Sequence, residues 1–360
     1  MRYEFRHFDW ILCGAVLGAV AIGFLAIASV DLSRGVGFYL LGRQSLALGI
    51  GSIVALLLGT VHPEFYRATS RMWYGIGLLL LGAVLVVGAT IRSTKGWFVL
   101  GGFSFQPLEF VKIALLLTLA RVIDRRGRVF TSALFFFGTA LVAILPMALV
   151  MLQPDLGGSL VLAALWFLLV LIVGTRRSFV LLLLGTVMVI GVVGWVGILK
   201  PYQKERFVSF INPGKDPLGA GYNVQQSIIA VGSGKFWGRG FGYGSQNQLS
   251  FLPERQTDFV FSVVGEELGF VGVLALFICY GIIGWRLVRI AGSCRDDFTQ
   301  PVIMGALGLW LVQIVVNVGG ATGILPLTGI ALPFVSYGGS SLVMNLVLVG
   351  IVQSIASHQV

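Results

Sequence analysis

Residues 157–174 have the sequence GGSLVLAALWFLLVLIVG, a run of apolar and small residues without a single charged side chain. A bilayer core of roughly 30 Å requires about 20 mainly apolar residues in one helix, and runs of this kind recur along the chain. Of its 360 residues, 57% are hydrophobic and only 11% are charged, more apolar surface than a soluble domain could bury. The sequence therefore predicts a polytopic integral membrane protein.

Ten apolar runs have the length of a membrane span. We predict spans at about 10–30, 44–62, 72–91, 105–121, 132–152, 157–174, 178–199, 260–286, 301–325 and 335–356. The runs are continuous and lack the in-out alternation of a porin strand, so helices are expected rather than a barrel. The predicted fold is all-α, with residues 1–360 forming a single membrane domain.

The positive charge of the chain lies mostly in short loops between the predicted spans. One such loop contains Arg121, Arg125, Arg126 and Arg128. The positive-inside rule explains this distribution and the net charge of +10 better than binding to nucleic acid does. We therefore predict that both termini are cytoplasmic and that the one long polar segment, residues 200–257, is extracytoplasmic.

The three cysteines are far apart in the sequence. Cys13 and Cys279 fall in predicted spans and Cys294 in a predicted cytoplasmic loop. This spacing predicts neither a disulfide framework nor a metal site.

Residues 200–257 contain many aromatic and aliphatic side chains between their polar ones, so the segment is expected to fold back onto the membrane rather than form a disordered linker. A short helix is predicted at 222–231, ended by the sequence Gly-Ser-Gly at 232–234. The alternating glycines of 238–244 allow a ligand or a neighbouring helix to approach the backbone closely.

Two of the predicted spans begin with charged residues. Glu109 and Lys112 follow Pro107 and are three positions apart, so they share a helix face and can form an ion pair. The pair can simply make both charges tolerable near lipid, or Glu109 can hold Lys112 toward an anionic substrate group. Asp155 opens the sixth span, where a helix-capping role is favoured.

A third group of charges lies where the polar segment meets the membrane. Glu254, Arg255 and Asp258 fall within five residues, and Asp258 begins the apolar run that opens the eighth span. A carboxylate at this boundary can act as a general base, a proton-relay group or a metal ligand. It can equally be an ordinary helix cap with Arg255 as its partner.

Several motifs resemble, in order along nearly the whole chain, those of the SEDS family, which serves shape, elongation, division and sporulation. They are FQPLE at 105–109, QPDLG at 153–157, DP at 216–217, YNVQQS at 222–227, FLPERQTDF at 251–259 and PFVSYGGSS at 333–341. The 222–227 and 230–234 stretches are more similar to the elongation branch than to the division branch. The family usually has Ser at the position of Leu108 and His at the position of Gln256.

The resemblance implies ten spans with a large extracytoplasmic loop after the seventh, and a peptidoglycan glycosyltransferase that polymerises lipid II. Its leaving group, a polyprenyl pyrophosphate, departs without protonation, so a single base suffices, with inversion at the anomeric carbon. We predict Asp258 as that base. Any mechanism that requires a His at position 256 is in doubt here.

Groups that could bind the substrate and its pyrophosphate are more numerous. The predicted substrate-binding residues are Glu109, Lys112, Arg206, Lys235, Arg239 and Arg255, and Lys204 is a further candidate. A divalent cation, Mg²⁺ or Mn²⁺, is another possibility that the sequence does not assign. The resemblance also implies a class B penicillin-binding transpeptidase and other elongation-complex membrane proteins as partners. A lipid II flippase is the main alternative function, and a scaffold without chemistry is a third.

Overall fold

The computed structural model describes residues 8–35, 37–91, 94–101, 103–126, 132–174, 220–249 and 251–358, with a few isolated positions between 178 and 204. The helices in these residues are α1 (Trp10–Arg34), α2 (Tyr39–Gly59), α3 (Pro63–Val87), α4 (Pro107–Arg126), α5 (Ala133–Leu152), α6 (Leu156–Ile172), α7 (Ala220–Ser233), α8 (Ser245–Gln248), α9 (Val260–Ser293), α10 (Thr299–Ala321) and α11 (Gly339–Ser357).

Seven of these helices, α1, α2, α3, α5, α9, α10 and α11, are long and apolar enough to cross a membrane. The 17-residue α6 is a shorter apolar helix, and α4 coincides with a further predicted span. The predicted seventh span, at 178–199, lies outside the described residues except for isolated positions. The mainly helical, polytopic membrane fold is confirmed, whereas the count of ten spans stays a prediction.

The chain also contains a small antiparallel sheet that the sequence did not predict. Its strands are β1 (Ala89–Ile91), β2 (Thr94–Leu100) and β3 (Phe103–Phe105), in the order β1-β2-β3. Residues assigned to the end of the third span therefore form strands instead. Thr94–Leu100 is rich in β-branched and aromatic residues, which favour a strand. The sheet covers one side of the cavity described below.

The hydrophobic core includes buried residues of most helices, and α11 is largely enclosed in it. Fourteen residues of α11 are buried, and it packs extensively on α2. Gly350 permits this approach, because a Cβ there would lie 2.6 Å from the carbonyl oxygen of Ala55. Small residues commonly let membrane helices pack this closely.

Helix α9 is interrupted at Gly269, where the backbone has φ 62° and ψ −160°. A positive φ is rare for any residue except glycine, so the backbone at this position favours a residue without a side chain. The break divides α9 into a short segment, 260–268, and a longer one, 270–293. The longer part alone has the length of a membrane span.

The hydrogen-bonding groups released by this break are satisfied by residues 235–240. The carbonyl oxygens of Glu266 and Glu267 accept hydrogen bonds from the backbone amides of residues 239 and 240, at 2.9 and 3.0 Å. The amides of residues 270 and 271 donate to the carbonyls of residues 235 and 236, at 2.9 and 3.2 Å. Gly238 makes this contact possible, since a Cβ there would lie 2.0 Å from the Glu267 carbonyl oxygen. The sequence predicted that a ligand or a neighbouring helix approaches the glycines of 238–244, and at Gly238 the structure shows a helix, α9.

Candidate active site

An open cavity of about 680 Å³, counting the part open to solvent, lies at one end of the helix bundle. Its walls come from β2, the first turns of α4 and α6, the middle of α10, the start of α11 and the loops at 257–258 and 329–331. Three carboxylates, Glu109, Asp155 and Asp258, line it together with Lys112. The charged groups predicted at three separate places in the sequence thus meet in one cavity.

Asp258 stands at the end of the loop that leads into α9. Its backbone amide donates to the carbonyl of Glu254 at 3.1 Å, which gives the loop a helical turn. Across the cavity, a Cβ on Gly329 would lie 3.7 Å from Oδ2 of Asp258, so the opposite wall approaches the carboxylate closely. The absence of a side chain at residue 329 leaves room beside the predicted base.

The backbone that carries Asp258 is fixed by three consecutive carbonyl groups. The carbonyl of Gln256 accepts from the amide of Tyr337 at 2.8 Å, and that of Thr257 accepts from Oγ of Ser336 at 2.7 Å. The carbonyl of Asp258 accepts from Nδ2 of Asn317 at 3.1 Å. The 333–341 motif and α10 therefore set the position of the predicted base.

Asn317 was not among the predicted site residues. Its Nδ2 also donates to the carbonyl of Ile330 at 2.8 Å, so one amide joins the loop of Asp258 to the opposite wall. The sequence does carry a signal for this residue, because Asn317 is polar and lies inside an otherwise apolar span. A polar side chain in such a place is energetically unfavourable and is commonly functional. Gln313, one turn away on α10, carries the same signal and lines the cavity.

Glu109 and Lys112 form the predicted ion pair. Nζ of Lys112 lies 2.7 Å from Oε2 of Glu109, and both side chains are nearly fully buried. Because both residues line the cavity that contains Asp258, the pair also lies within reach of a bound molecule. Asp155 caps α6 as predicted, with Oδ1 accepting from the amide of Gly158 at 2.7 Å.

Gln256 is not among the residues that line the cavity. Its Oε1 accepts a hydrogen bond from Arg34 at 2.8 Å, and its Nε2 donates to Oε2 of Glu254 at 2.9 Å. The side chain at this position therefore joins the loop to the end of α1. In this chain it contributes no polar atom to the lining around Asp258.

Arg255 is buried and donates to the carbonyl of Asn247. Burial, together with the nearby guanidinium of Arg34, lowers the pKa of Arg255. Lys235 and Arg239 are exposed, and none of these three basic residues lines the cavity. Arg206 lies outside the described residues. Of the predicted substrate-binding residues, the structure thus brings Glu109 and Lys112 to Asp258.

Two buried carboxylates at the end of the short α9 segment support the loop before Asp258. Glu266 accepts from the backbone amides of Gln246 and Asn247, at 2.9 and 3.3 Å. Glu267 accepts from Nδ2 of Asn247 at 2.8 Å and from the amide of Gly242 at 3.2 Å. Since Arg255 bonds the carbonyl of Asn247, this network continues into the loop that carries the predicted base.

The comparisons with known proteins cover nearly the whole chain. The family model of FtsW, RodA and SpoVE, described as a cell cycle protein, matches residues 7–360. The peptidoglycan glycosyltransferase MrdB of Escherichia coli (strain K12) is 37% identical, over 98% of this chain and 94% of its own length. Stage V sporulation protein E of Bacillus subtilis (strain 168) is 35% identical, over 97% of both chains.

Solved structures agree with these sequence matches. A chain from a peptidoglycan synthase complex, studied for its coordination of polymerization and crosslinking, superimposes with a TM-score of 0.84 at 36% identity, covering 98% of both chains. The Rod shape determining protein RodA of Thermus thermophilus superimposes with a TM-score of 0.71 at 34% identity, covering 97% of this chain and 96% of that one.

Proposed function

The chain belongs to the family of FtsW, RodA and SpoVE, and from that membership we propose that it is a peptidoglycan glycosyltransferase that polymerises lipid II into glycan strands during cell elongation. Relatives that are 35–37% identical over nearly their full length are named peptidoglycan glycosyltransferases. The protein would act in the bacterial cytoplasmic membrane as a multi-pass protein with both termini in the cytoplasm.

The observation that carries the proposal is the meeting of Asp258 with the Glu109–Lys112 ion pair in one open cavity. Glycosyl transfer from a lipid-linked donor requires a base for the acceptor and positive charge near the leaving group. The cavity provides the carboxylate of Asp258 on a fixed backbone and the ammonium group of Lys112. Positioning of two lipid-linked sugars would supply much of the remaining acceleration.

Asp258 acts in this proposal as the general base. Its carboxylate takes the proton of the acceptor sugar hydroxyl as that oxygen attacks the anomeric carbon of the donor. The bond between the anomeric carbon and the pyrophosphate oxygen breaks, and the electron pair leaves with the pyrophosphate. Attack from the face opposite the leaving group inverts the anomeric carbon. A second carboxylic acid is unnecessary, unlike in the hydrolases that use two.

Lys112 is the group that we propose to stabilise the pyrophosphate. Before substrate binds, Glu109 compensates its charge, which makes a buried ammonium tolerable. The ammonium of lysine has three N–H donors, so it can bond Glu109 and a phosphate oxygen together. The ion pair thereby serves both roles considered for it.

We also propose a divalent cation, although the described residues hold no cluster of three or more His, Cys, Asp or Glu side chains that could bind one without substrate. Mg²⁺ is commonly bound by one or two carboxylates together with substrate phosphates, and Asp155 and Asp258 are carboxylates of the lining. Such a cation would add positive charge at the departing pyrophosphate. Polymerisation measured with and without a chelator tests this part of the proposal.

Purified protein with labelled lipid II tests the function itself. We expect long glycan strands with the intact protein and polymerisation about 10²–10⁴-fold slower with Asp258→Asn, provided that the variant folds. Transport is the second candidate, motivated by the intramembrane Glu109–Lys112 charges. If no polymer forms under any condition but labelled lipid crosses liposomes, the protein is a flippase.

A class B penicillin-binding transpeptidase is the partner that we propose, alongside other membrane proteins of the elongation complex. Support comes from the structural neighbour in a peptidoglycan synthase complex, where polymerization and crosslinking are coordinated. Co-purification from membranes, followed by polymerisation assays with and without the transpeptidase, tests the association.

A further inference from the structure

Residues 235–243 present large aromatic side chains on the surface of the protein. Trp237 and Tyr243 are 77% and 78% exposed, and Phe236 is exposed over about half of its surface. An exposed apolar patch with a polar rim commonly marks an interaction site. The proposed catalysis gives this surface no task.

The aromatic surface is attached to the membrane-spanning part of α9. The ring of Phe236 stacks on that of Phe270, with centroids 5.7 Å apart, and the amide of Phe270 donates to the carbonyl of Lys235 at 2.9 Å. Phe270 begins an exposed apolar face of α9 that continues through Leu274 and Ile278, one turn and two turns farther along. The surface of residues 235–243 is therefore continuous with the lipid-facing side of this helix.

The depth of Phe270 in the membrane follows from the charges on α9. Residues 270–285 contain no charged side chain and are about 24 Å long as a helix. Arg286 and Arg289 come next. A hydrocarbon core is about 30 Å thick, and long basic side chains reach from just inside its edge to the headgroups. With the arginines at one membrane surface, Phe270 lies at the hydrocarbon edge of the other surface, and Phe236 lies beside it.

The two ends of this span meet the membrane surface differently. At the far end, the guanidinium carbons of Arg286 and Arg289 lie 5.2 and 5.1 Å from the ring centroid of Trp285. Aromatic and basic residues of this kind are typical of the membrane–water interface. At the near end, the helix itself has the sequence Glu-Glu-Leu-Gly at 266–269. There the aromatic and basic side chains come from residues 235–243 instead.

We propose that residues 235–243 form an interfacial membrane anchor, in which Phe236 and Trp237 insert at the hydrocarbon edge and Lys235 attracts the headgroups of anionic phospholipids. Tryptophan suits this zone because its ring is apolar and its N–H group can bond to a headgroup. Lys235 is exposed, and Arg239 adds a second exposed positive charge. Apolar insertion and attraction to anionic lipid act together in anchors of this kind.

The anchor is connected to the loop that carries the predicted base. The carbonyl of Glu267 accepts from the amide of Gly240, and its carboxylate accepts from Nδ2 of Asn247. Arg255, three residues before Asp258, donates to the carbonyl of Asn247. The depth of the anchor in the membrane thereby influences the depth of Asp258, which must meet a lipid-linked substrate. This consequence rests on the proposed function, whereas the anchor itself does not.

Fluorescence of Trp237 tests the anchor with the intact protein in bilayers. Subtracting the emission of Trp237→Phe from that of wild type isolates this ring. Trp285→Phe and Trp166→Phe give the same information for a half-exposed ring on α9 and for a buried one. Phospholipids brominated near the headgroup end of their acyl chains should quench Trp237 as strongly as Trp285 and more strongly than Trp166.

Quenching of Trp237 no stronger than that of Trp166 would overturn the inference. Acrylamide, a quencher dissolved in the water, then identifies the true surroundings of the ring. Strong quenching by acrylamide would place Trp237 in water. If the transpeptidase abolished that quenching, the surface would be a protein interface rather than a membrane anchor.

Lys235→Glu tests the attraction to anionic lipid separately. The main-chain bond from Phe270 to residue 235 does not depend on the side chain. In anionic bilayers we expect a roughly twofold to fivefold loss of Trp237 quenching by brominated lipid, because the headgroups repel the new charge. In zwitterionic bilayers the loss should be smaller. A loss that is equal in the two bilayers, or absent from both, would contradict the role of the charge.

Trp237→Ser tests the connection to Asp258. We expect a severalfold lower kcat/KM for polymerisation in bilayers and an unchanged value in detergent, where no bilayer surface sets the depth of the loop. A loss in both media, or in neither, would contradict the connection. The fluorescence measurements require no substrate, so they decide the existence of the anchor even if the wild type makes no strands.

Discussion

The side-chain amide of Asn317 donates to the main-chain carbonyl of Asp258 at 3.1 Å, and the same nitrogen donates to Ile330 on the facing wall at 2.8 Å. One side chain therefore joins the loop of the predicted base to the facing wall of the cavity. Because this bond is made to the main chain of Asp258, we treat Asn317 as a positioning residue.

Replacement of Asn317 by alanine should misplace the base. Small displacements of a reacting group can reduce rates about a hundredfold, so we expect kcat to fall roughly tenfold to a hundredfold with a smaller change in KM. Thr118→Val is the control, because Thr118 also donates to a main-chain carbonyl, that of Ser70 at 3.2 Å. A kcat loss in the control as large as that of Asn317→Ala would mean that general destabilisation causes the effect.

The pH dependence of kcat should show Asp258 as a base. A base must be deprotonated to act, so the rate should fall as pH decreases through the pKa of its carboxyl group and level off at higher pH. Removing a general base reduces the rate by about 10²–10⁴-fold. The residual activity of Asp258→Asn should lack the acidic limb, and a limb that persists unchanged in that variant would assign the base elsewhere.

A single and a double variant of the Glu109–Lys112 ion pair can separate its structural role from its catalytic role. Glu109→Gln leaves a buried ammonium without its carboxylate, which costs about 3–5 kcal/mol of stability. Adding Lys112→Met removes that charge, so the double variant should recover most of the loss in thermal unfolding experiments. Polymerisation should stay low in the double variant, because the leaving group lacks its cation. Recovery of activity together with stability would show that the pair is only structural.

Gln256→His tests whether the residue beside the base takes part in chemistry. The side chain of Gln256 is bonded to Arg34 and Glu254 outside the cavity lining, so we expect polymerisation within about threefold of wild type, a change below 1 kcal/mol. Initial rates at several pH values provide the measurement. If the pH–rate profile of Gln256→His showed a titration that the wild type lacks, the side chain at position 256 would take part in the reaction.

Gly238→Ala tests the contact between residues 235–240 and the break in α9. Gly238 has φ 82°, and its Cβ would overlap the carbonyl of Glu267. We expect a loss of about 1–3 kcal/mol, the usual range for backbone strain. Gly232, near the end of α7, has open space around its Cβ position, so Gly232→Ala should be neutral or slightly stabilising. Equal stability of the two variants would disprove the need for glycine at 238.

Hydropathy was sufficient to locate most helices, because a continuous apolar run in lipid can make all its backbone hydrogen bonds internally only as a helix. It failed at 89–105, where strands follow α3 directly and residue types alone do not mark the change from helix to sheet. The end of α10 at Ala321 and the start of α11 at Gly339 also lie four residues inside the predicted spans.

The clearest sequence signal for the candidate site was an ionisable residue where a membrane span begins. Asp258, Glu109 and Lys112 each stood out as ionisable groups near lipid, and they line one cavity. Arg255 was equally conspicuous in the sequence, yet it does not line the cavity, and it donates to the backbone of Asn247. The sequence did not indicate Asn317 as a site residue, because its partner Asp258 is 59 positions away and the two come together only in the folded chain.

The contact across Gly269 also bears on how this part of the molecule can evolve. Lys235, Phe236 and Arg239 join α9 through main-chain atoms, while the side chains of Phe236 and Trp237 face outward, 54% and 77% exposed. Mutations at these outward positions leave the main-chain hydrogen bonds to α9 in place and change only ring contacts such as that of Phe236 with Phe270, whereas a side chain at Gly238 or Gly269 would overlap the facing backbone. A lineage can therefore adapt this outer surface to new surroundings while the architecture beneath it is inherited unchanged.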